Sequence, residues 1–378
     1  MKRQTLQERL ADRLFGPLIR SRVAQAVKAV DDQWWRQIGD GQAPRVRLWH
    51  EVRTGLDEAL EAWRTNPLAF RIVALTTDFV VGRGLQVHSS LPWAEELLQR
   101  FWQHRLNRLD LRLHRWCDEL TRSGELFLVL STNPGDGLSY VRELPAARID
   151  RIETSPDDLE REVRYHELTD DLDGRWWPGP AAAEVLTAPQ LALHYSINRP
   201  IGHLRGQGDL ATILPWLKHY KQWLEDRVRV NRFKSAFLWQ VSIANPGPGV
   251  LERRRAQCMQ SPEPGSVIVT DEKEEWKAVH PAIQAADAWP DGRAIRLLIA
   301  AGAGIPLHFL AEGESATRAT AREMGTPTYR HYAHRRRQFC DMLLDLCTWM
   351  LRRAQVRGRG GAEMEYGLEC EAMDEDDV

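Results

Sequence analysis

The 378-residue sequence has no apolar stretch long enough to cross a membrane, which takes roughly eighteen residues or more. It has no GxxxxGK followed by Ser or Thr, so a P-loop nucleotide site is not expected. No GxSxG nucleophile elbow occurs either. The five cysteines, Cys117, Cys258, Cys340, Cys347 and Cys370, form no CxxC pair and no Cys/His cluster with zinc spacing. Cys340 and Cys347 read as core positions of one helix, and disulfides are not expected. Residues Met1 to Val30 are charged throughout and lack the apolar block of a signal peptide, so the expectation is an intracellular protein made in a reducing compartment. Lysine is scarce beside arginine, and no internal repeat is visible.

What is present is ordinary in bulk and uneven in detail. Hydrophobic residues make up 43% and charged residues 28%, values that suit a folded chain of two or more domains. The net charge of −2 argues against a protein that coats nucleic acid through a basic surface. Locally the balance breaks. Eight arginines face only Asp341 and Asp345 between Pro327 and Arg359, whereas residues 360–378 hold eight acids and no Lys or Arg. Fifteen tryptophans are spread along the chain, most of them expected in the core and some suited to subunit interfaces.

Periodicity gives the elements. Apolar spacing predicts one or two helices over Arg3–Asp32 and further helices at Leu48–Trp63 and Pro67–Val81. Asn66 caps the last of these, and Pro67 takes the first position, where its missing N–H costs nothing. Strands are expected at Leu85–Val87, Glu125–Ser131, Leu138–Leu144, Glu162–Leu168 and Leu191–Ser196, with helices at Trp93–His104 and Leu111–Arg122. The first half is therefore α+β with an antiparallel sheet. In the second half, Leu210, Ile213, Leu214, Leu217, Leu224 and Val228 share one face of a helical stretch over Asp209–Phe233, kinked or started by Pro215. A strand at Ala236–Ile243, a short basic helix at Leu251–Met259 and a paired unit of Ser266–Thr270 with Glu275–His280 follow. A helix over Asp291–Ala303 comes next. Thr326-Pro327 then opens the longest helix, with Tyr332, Phe339, Leu343, Leu346 and Met350 as a lengthwise seam. Reaching Gln355, it measures about 45 Å. The acidic tail beyond it is expected to be mobile.

No catalytic set can be assembled. His331 and His334 share a helix face but have no acid or Cys at a matching offset and sit among cations, so no metal site is expected. Asp374–Asp377 lack a scaffold and read as a solvated tail. The Gly-rich stretches at 206–208 and 302–304 read as turns or helix ends. Arg335, Arg336 and Arg337, with Arg322 upstream, have two readings: phosphate contacts, or ion pairs with a neighbouring subunit or the acidic tail. Consecutive residues point three ways on a helix, and that geometry prefers ion pairs.

Taken in order, NPLAFRIVALTTDFVVGRGLQV (66–87), GQGDLATILPWLKHYKQWLEDRVRVNRF (206–233), AGAGIPLHFL (301–310) and ATRATAREMGTPTYRHYAHRRRQF (316–339) resemble the portal proteins of tailed bacteriophages. The likeness spans about Asn66 to Gln355 and rests on order and spacing more than on any one motif. It implies an α+β, portal-like fold: mainly helical, with an antiparallel wing sheet, two stem helices bracketing a small α/β clip, and a long C-terminal helix. The implied divisions are a wing over 1–205, a first stem helix over 206–233 and a clip over 234–283. A second stem helix over 284–303, a tunnel-loop region over 304–325, a long wing or crown helix over 326–357 and the acidic tail over 358–378 complete them.

The resemblance further implies a homo-oligomeric ring, usually of about twelve subunits, at one capsid vertex. Double-stranded DNA would pass through it, and the terminase large subunit, a head-completion or adaptor protein, the major capsid protein and scaffold would be partners. The protein would be assembled in the host cytoplasm and sit in the virion, without cofactor, metal, membrane contact or catalysis. The loop around Glu312, Gly313, Glu314, Ser315, Thr317 and Arg318 would line the tunnel; its plain alternative is a surface turn. Competing readings are a nucleic-acid-acting hydrolase and another phage head adaptor protein.

Overall fold

The computed structural model describes residues 48–171, 173–235, 238–244, 248–257, 274–279, 288–310, 318–361, 363 and 365–373. The helices expected over Arg3–Asp32, the strand at Ser266–Thr270, the residues Glu312, Gly313, Glu314, Ser315 and Thr317, and Asp374–Val378 lie outside that set.

Helices α1 (Trp49–Thr65) and α2 (Pro67–Val80) are parted by Asn66, whose extended backbone stops the first. The Asn66 side chain accepts from the N–H groups of Leu68 at 3.0 Å and Ala69 at 3.4 Å, and Pro67 takes the first helical position, as expected. Strand β1 (Leu85–Ser89) and helices α3 (Pro92–Gln103) and α4 (Leu109–Ser123) follow. Then comes β2 (Glu125–Thr132), the middle strand of an antiparallel sheet ordered β3-β2-β7, with β3 at Ser139–Leu144 and β7 at Gln190–Ser196. Its unbroken apolar run has a simple cause. Leu126, Leu128 and Leu130 enter the largest core, while Phe127 and Val129 enter another on the opposite face.

The first half holds two three-stranded sheets, where the sequence suggested a single one. The second is ordered β4-β5-β6, from β4 (Ile149–Ser155), β5 (Asp158–Glu167) and β6 (Arg175–Pro178). Strand β4 has a mixed polar sequence without clean alternation, and β6 is only four residues, RWWP, so neither gave a period-2 signal. In the second half, α5 (Leu214–Ser235) begins at Leu214-Pro215, so the proline marks a start. Strand β8 (Leu238–Ile243), helix α6 (Val250–Gln257) and strand β9 (Glu274–Val279) come next. Strand β9 pairs antiparallel with β8. Helices α7 (Ala288–Ala303), α8 (Leu307–Leu310) and α9 (Arg318–Val356) lead to β10 (Leu368–Ala372). Among the described residues no helix is long and apolar enough to cross a membrane.

Two expectations about the C-terminal part are corrected. The long helix starts at Arg318, so Pro327 lies inside it and Thr326 is no cap. A proline there cannot donate to the carbonyl of Glu323, yet the helix runs through for about 58 Å. Part of the acidic tail is ordered. Strand β10 pairs antiparallel with β1, from Leu85 opposite Ala372 to Ser89 opposite Leu368. Leu368, Cys370 and Ala372 pack against the main core, while Glu369 and Glu371 face solvent.

The seam predicted for α9 is buried throughout: Tyr332, Phe339, Leu343, Leu346 and Met350 all enter the main core with α3, α4 and one face of β2. Near its end Arg353 is fully buried. It donates to Thr132 Oγ1 at 2.8 Å, to the Ala188 carbonyl at 2.6 Å and to the Val185 carbonyl. Burial and the neighbouring Arg357 press its pKa down to about 10, so it remains a cation at neutral pH. Arg353→Met strands three acceptors and should cost about 2–4 kcal/mol in denaturant unfolding. Arg353→Lys should restore little, because an ammonium cannot reproduce the guanidinium fork. Recovery of wild-type stability by lysine would show that charge alone matters here.

Candidate interaction surface

A short segment, Arg205–Asp209, carries the chain from the sheets to the helices of the second half, and nearly every residue of it is tied down. Arg205 Nη2 lies 2.8 Å from Glu125 Oε2, and the same guanidinium donates to the carbonyls of Ile149 and Ala146. The Gly206 N–H donates to Glu125 Oε1 at 3.1 Å. Gly208 passes so close to α4 that a Cβ there would sit 2.0 Å from the Arg122 carbonyl oxygen. Asp209 accepts from Arg335 at 2.9 Å and from Asn198 at 2.7 Å. The sequence suggested a turn at 206–208; the reason for its glycines is this crossing.

Glu125 is also part of a buried ionic network. His194 lies fully buried between Glu125, at 3.5 Å from Nε2, and Glu162, at 3.1 Å from Nδ1. Its ring stacks on Phe127 with centroids 4.2 Å apart. The Tyr165 hydroxyl donates to Glu162 at 2.6 Å. Burial pushes Glu125 up, but Arg205 and His194 outweigh it and hold the carboxyl at about 2. Burial pushes His194 down, and the two glutamates outweigh it, raising the imidazole to about 9. Two carboxylates and a histidine could suggest acid–base chemistry. Here they are enclosed and neutralise one another between β2, β5 and β7. Among the described residues no group of three or more His, Cys, Asp or Glu could hold a metal ion. The sequence signal was a glutamate at the head of an apolar strand, and it was missed.

Beyond the crossing, Leu210, Ile213, Leu214 and Leu217 enter a core shared with α1, α2 and the end of α7. From Lys218 to Arg232 no side chain of α5 is buried. The single apolar face read from the sequence thus splits: its first four members are covered, and Leu224 and Val228 are 43% and 51% exposed. On α7, Ile299 and Ala300 are covered, while Trp289, Leu297 and Leu298 are 63%, 48% and 48% exposed. The two helices pack closely and antiparallel. A Cβ on Gly302 would meet Ile213 at 2.4 Å, and one on Gly292 would meet the Trp223 ring at 2.4 Å. These contacts step equally along both helices in opposite directions. In the chain, strand β8 follows α5 and strand β9 precedes α7.

The arginine block is also placed. Arg335 is buried and bonded to Asp209. Arg336 donates to the carbonyls of Phe79 at 2.6 Å and Val80 at 3.2 Å, capping the C-terminus of α2 with a cation. Arg337 is exposed. Arg335 and Arg336 therefore make contacts within the chain, with Asp209 and with the C-terminus of α2. Arg318 and Arg322 lie on the first turns of α9.

No family model and no curated protein matches this sequence. Solved structures do match. A chain of the virion of a native gene transfer agent particle superposes with a TM-score of 0.59 at 16% identity, covering 90% of this chain and 88% of that one. Chains of the neck of the native particle, computed with C12 symmetry, and of the empty particle, computed with C6 symmetry, give 0.55 and 0.58. Both are 15% identical and cover 85% of each chain. An HK97 family phage portal protein from Corynebacterium diphtheriae gives 0.41 at 14% identity, covering 71% of this chain and 84% of that one. The particle chains share this fold, and the mixed α+β class expected from the sequence, with antiparallel sheets, is the class found.

The buried network predicts a pH profile. His194, raised from 6.5 to about 9, adds stability that is complete below about pH 6.5 and is lost as pH rises through 9. Glu125, lowered from 4.5 to about 2, adds stability that is complete above about pH 4.5 and is lost as pH falls through 2. Stability from this network is therefore greatest between those limits. His194→Gln should lose on the order of 3 kcal/mol near pH 6 and progressively less towards pH 9, read from denaturant midpoints across pH. A loss that stays constant from pH 6 to 9 would mean that packing, not charge, sets the cost.

The close helix pair predicts a second effect. Gly292→Val should force α5 and α7 apart and destabilise by about 1–3 kcal/mol, measured by thermal unfolding. An unchanged melting temperature would show that Trp223 moves aside freely.

Proposed function

We propose that this chain is the portal protein of a tailed-phage-type particle: one subunit of a ring at a capsid vertex through which double-stranded DNA is packaged and ejected. The observation that carries the reading is the helix pair α5 and α7. It leaves its core half-way along, exposing Leu224, Val228 and Trp289, and it also exposes Leu297 and Leu298 beside the covered Ile299 and Ala300. A lone chain gains nothing from apolar side chains in water, whereas a neighbouring copy around a ring would cover them. The likeness to chains from a particle neck solved with C12 and C6 symmetry supports the same arrangement.

In this reading α5 and α7 are the stem, and residues 234–283 between them are the clip. Residues 1–205 with the long helix form the wing. Residues 310–318, including Glu312, Gly313, Glu314, Ser315, Thr317 and Arg318, line the tunnel. The mixed charge of that loop suits sliding, because dense phosphate contacts would hold DNA in place. Arg337 and Arg322 meet a neighbouring subunit or passing DNA. The ring has about twelve subunits. It docks the terminase large subunit, a head-completion or adaptor protein, the major capsid protein and scaffold, is assembled in the host cytoplasm, and performs no catalysis of its own.

Electron microscopy with mass measurement on purified protein tests this. Rings of about twelve subunits with a central channel are expected. Trp289→Asp with Leu297→Asp should abolish the rings while changing the unfolding of the separate subunit little, since exposed sites cost within about 0.5 kcal/mol. A chain that stays monomeric at high concentration, in buffer and with capsid protein present, would sink the reading.

A further inference from the structure

Two of the cysteines meet. Cys340 lies on the long helix α9 and Cys370 in the middle of β10, opposite Val87 of β1. The Cys370 thiol donates to Cys340 Sγ, the sulfurs 2.7 Å apart, and both side chains are half-buried, within reach of a small solute. By contrast Cys117 and Cys347 are buried. Burial pushes the Cys117 thiol up to about 12 and raises that of Cys347 still further. These two are packing residues, and among the described residues neither has a thiol hydrogen-bonded to it.

We propose that Cys340 and Cys370 form a reversible disulfide that staples the C-terminal strand β10 to the long helix. Cys340 is the attacking thiol. The hydrogen bond from Cys370 and the positive charge of Arg336 both favour its thiolate and lower its pKa. It displaces one thiolate from a small disulfide oxidant such as oxidised glutathione, forming a mixed disulfide. Cys370 loses its proton, attacks Cys340 Sγ and expels the second glutathione thiolate. Two protein thiols are oxidised to one disulfide, one oxidant disulfide is reduced to two thiols, and no other reactant is needed.

The place where this bond falls gives it an effect. Among the described residues, strands β1 and β10 form a two-stranded sheet, an arrangement that is marginal without further support. The rest of the C-terminal segment is held by side chains: Trp93 Nε1 donates to Glu363 at 3.1 Å, Ser89 Oγ to the Tyr366 carbonyl at 2.6 Å, and Tyr366 to Gln355 at 2.5 Å. A covalent tie between Cys340 and Cys370 closes the chain around this whole segment and restricts the unfolded state. The dithiol would persist in a reducing cytoplasm and the disulfide in an oxidising exterior. Only that staging, reduced during assembly and oxidised in the released particle, rests on the portal reading.

The test uses the full chain, reduced and then incubated with oxidised glutathione. The sample is acid-quenched, alkylated under denaturing conditions and digested for mass spectrometry. The expected result is a peptide linking Cys340 to Cys370, two fewer alkylatable thiols than in the reduced chain, and a raised melting temperature that dithiothreitol reverses. In Cys370→Ser, Cys340 should stop at the mixed disulfide and the thermal gain should vanish. Because the wild-type chain carries the decision, a variant that fails to fold does not blunt it. Cys340 and Cys370 both remaining alkylatable, or each carrying glutathione with no linked peptide, would overturn the proposal. Ring formation is scored on the same sample by microscopy. Rings without the linked peptide defeat the disulfide alone, and the linked peptide in a chain that forms no rings at high concentration, in buffer and with capsid protein present, defeats the portal reading alone.

Discussion

The buried pair of Glu125 and Arg205 lies where the chain leaves its sheets for its paired helices, and the architecture hangs on that point. An ion pair removed from water stabilises only when its remaining donors and acceptors are filled. Here they are: Arg205 reaches two carbonyls, and Glu125 also accepts from the Gly206 N–H and faces His194. The network therefore joins β2, the start of β4, β7 and the crossing segment into one body. Four residues after Arg205, Asp209 receives Arg335, and the long helix is tied to the same body.

That rigid junction explains how the second half can be sparse. Helices α5 and α7 enter a core only near the crossing, at Leu214, Leu217, Ile299 and Ala300. Further out they rely on each other, with Gly292 letting α7 approach the Trp223 ring of α5 where a larger residue would collide. Local stability should fall along the pair, since buried apolar contacts thin out towards β8 and β9. Such an element is stiffened most economically from outside, by copies of itself. The apolar residues it exposes are the physical ground for reading the chain as one part of an assembly.

Much of the local structure was legible because the causes are local. Asn66-Pro67 announces a helix boundary through hydrogen bonds within three residues of itself. The seven-residue seam of α9 needs only the geometry of a helix lying along a core. Where a distant partner sets the outcome, local signals misled. Thr326-Pro327 has the chemistry of a helix start, yet the helix extends back to Arg318. The contact of Thr328 with the Gly304 carbonyl belongs to packing that no local rule contains. Strand β10 does alternate, but its glutamates sit in an acid-rich stretch, and what makes it a strand is the free edge of β1.

The candidate surface divides in the same way. The apolar face of α5 could be read from spacing, but spacing says only that residues share a face, not what covers it. The covered and exposed halves, the partners of Arg335 and Arg336, and the meeting of Cys340 with Cys370 all depend on residues far apart in the chain. The sequence by itself determined the α+β class, two helices on either side of a small β-unit and the presence of a long helix, since periodicity acts over one or two turns. Only the tertiary structure decided which charges are buried together and which apolar residues remain in water, because burial is a property of the whole chain's packing and not of any segment.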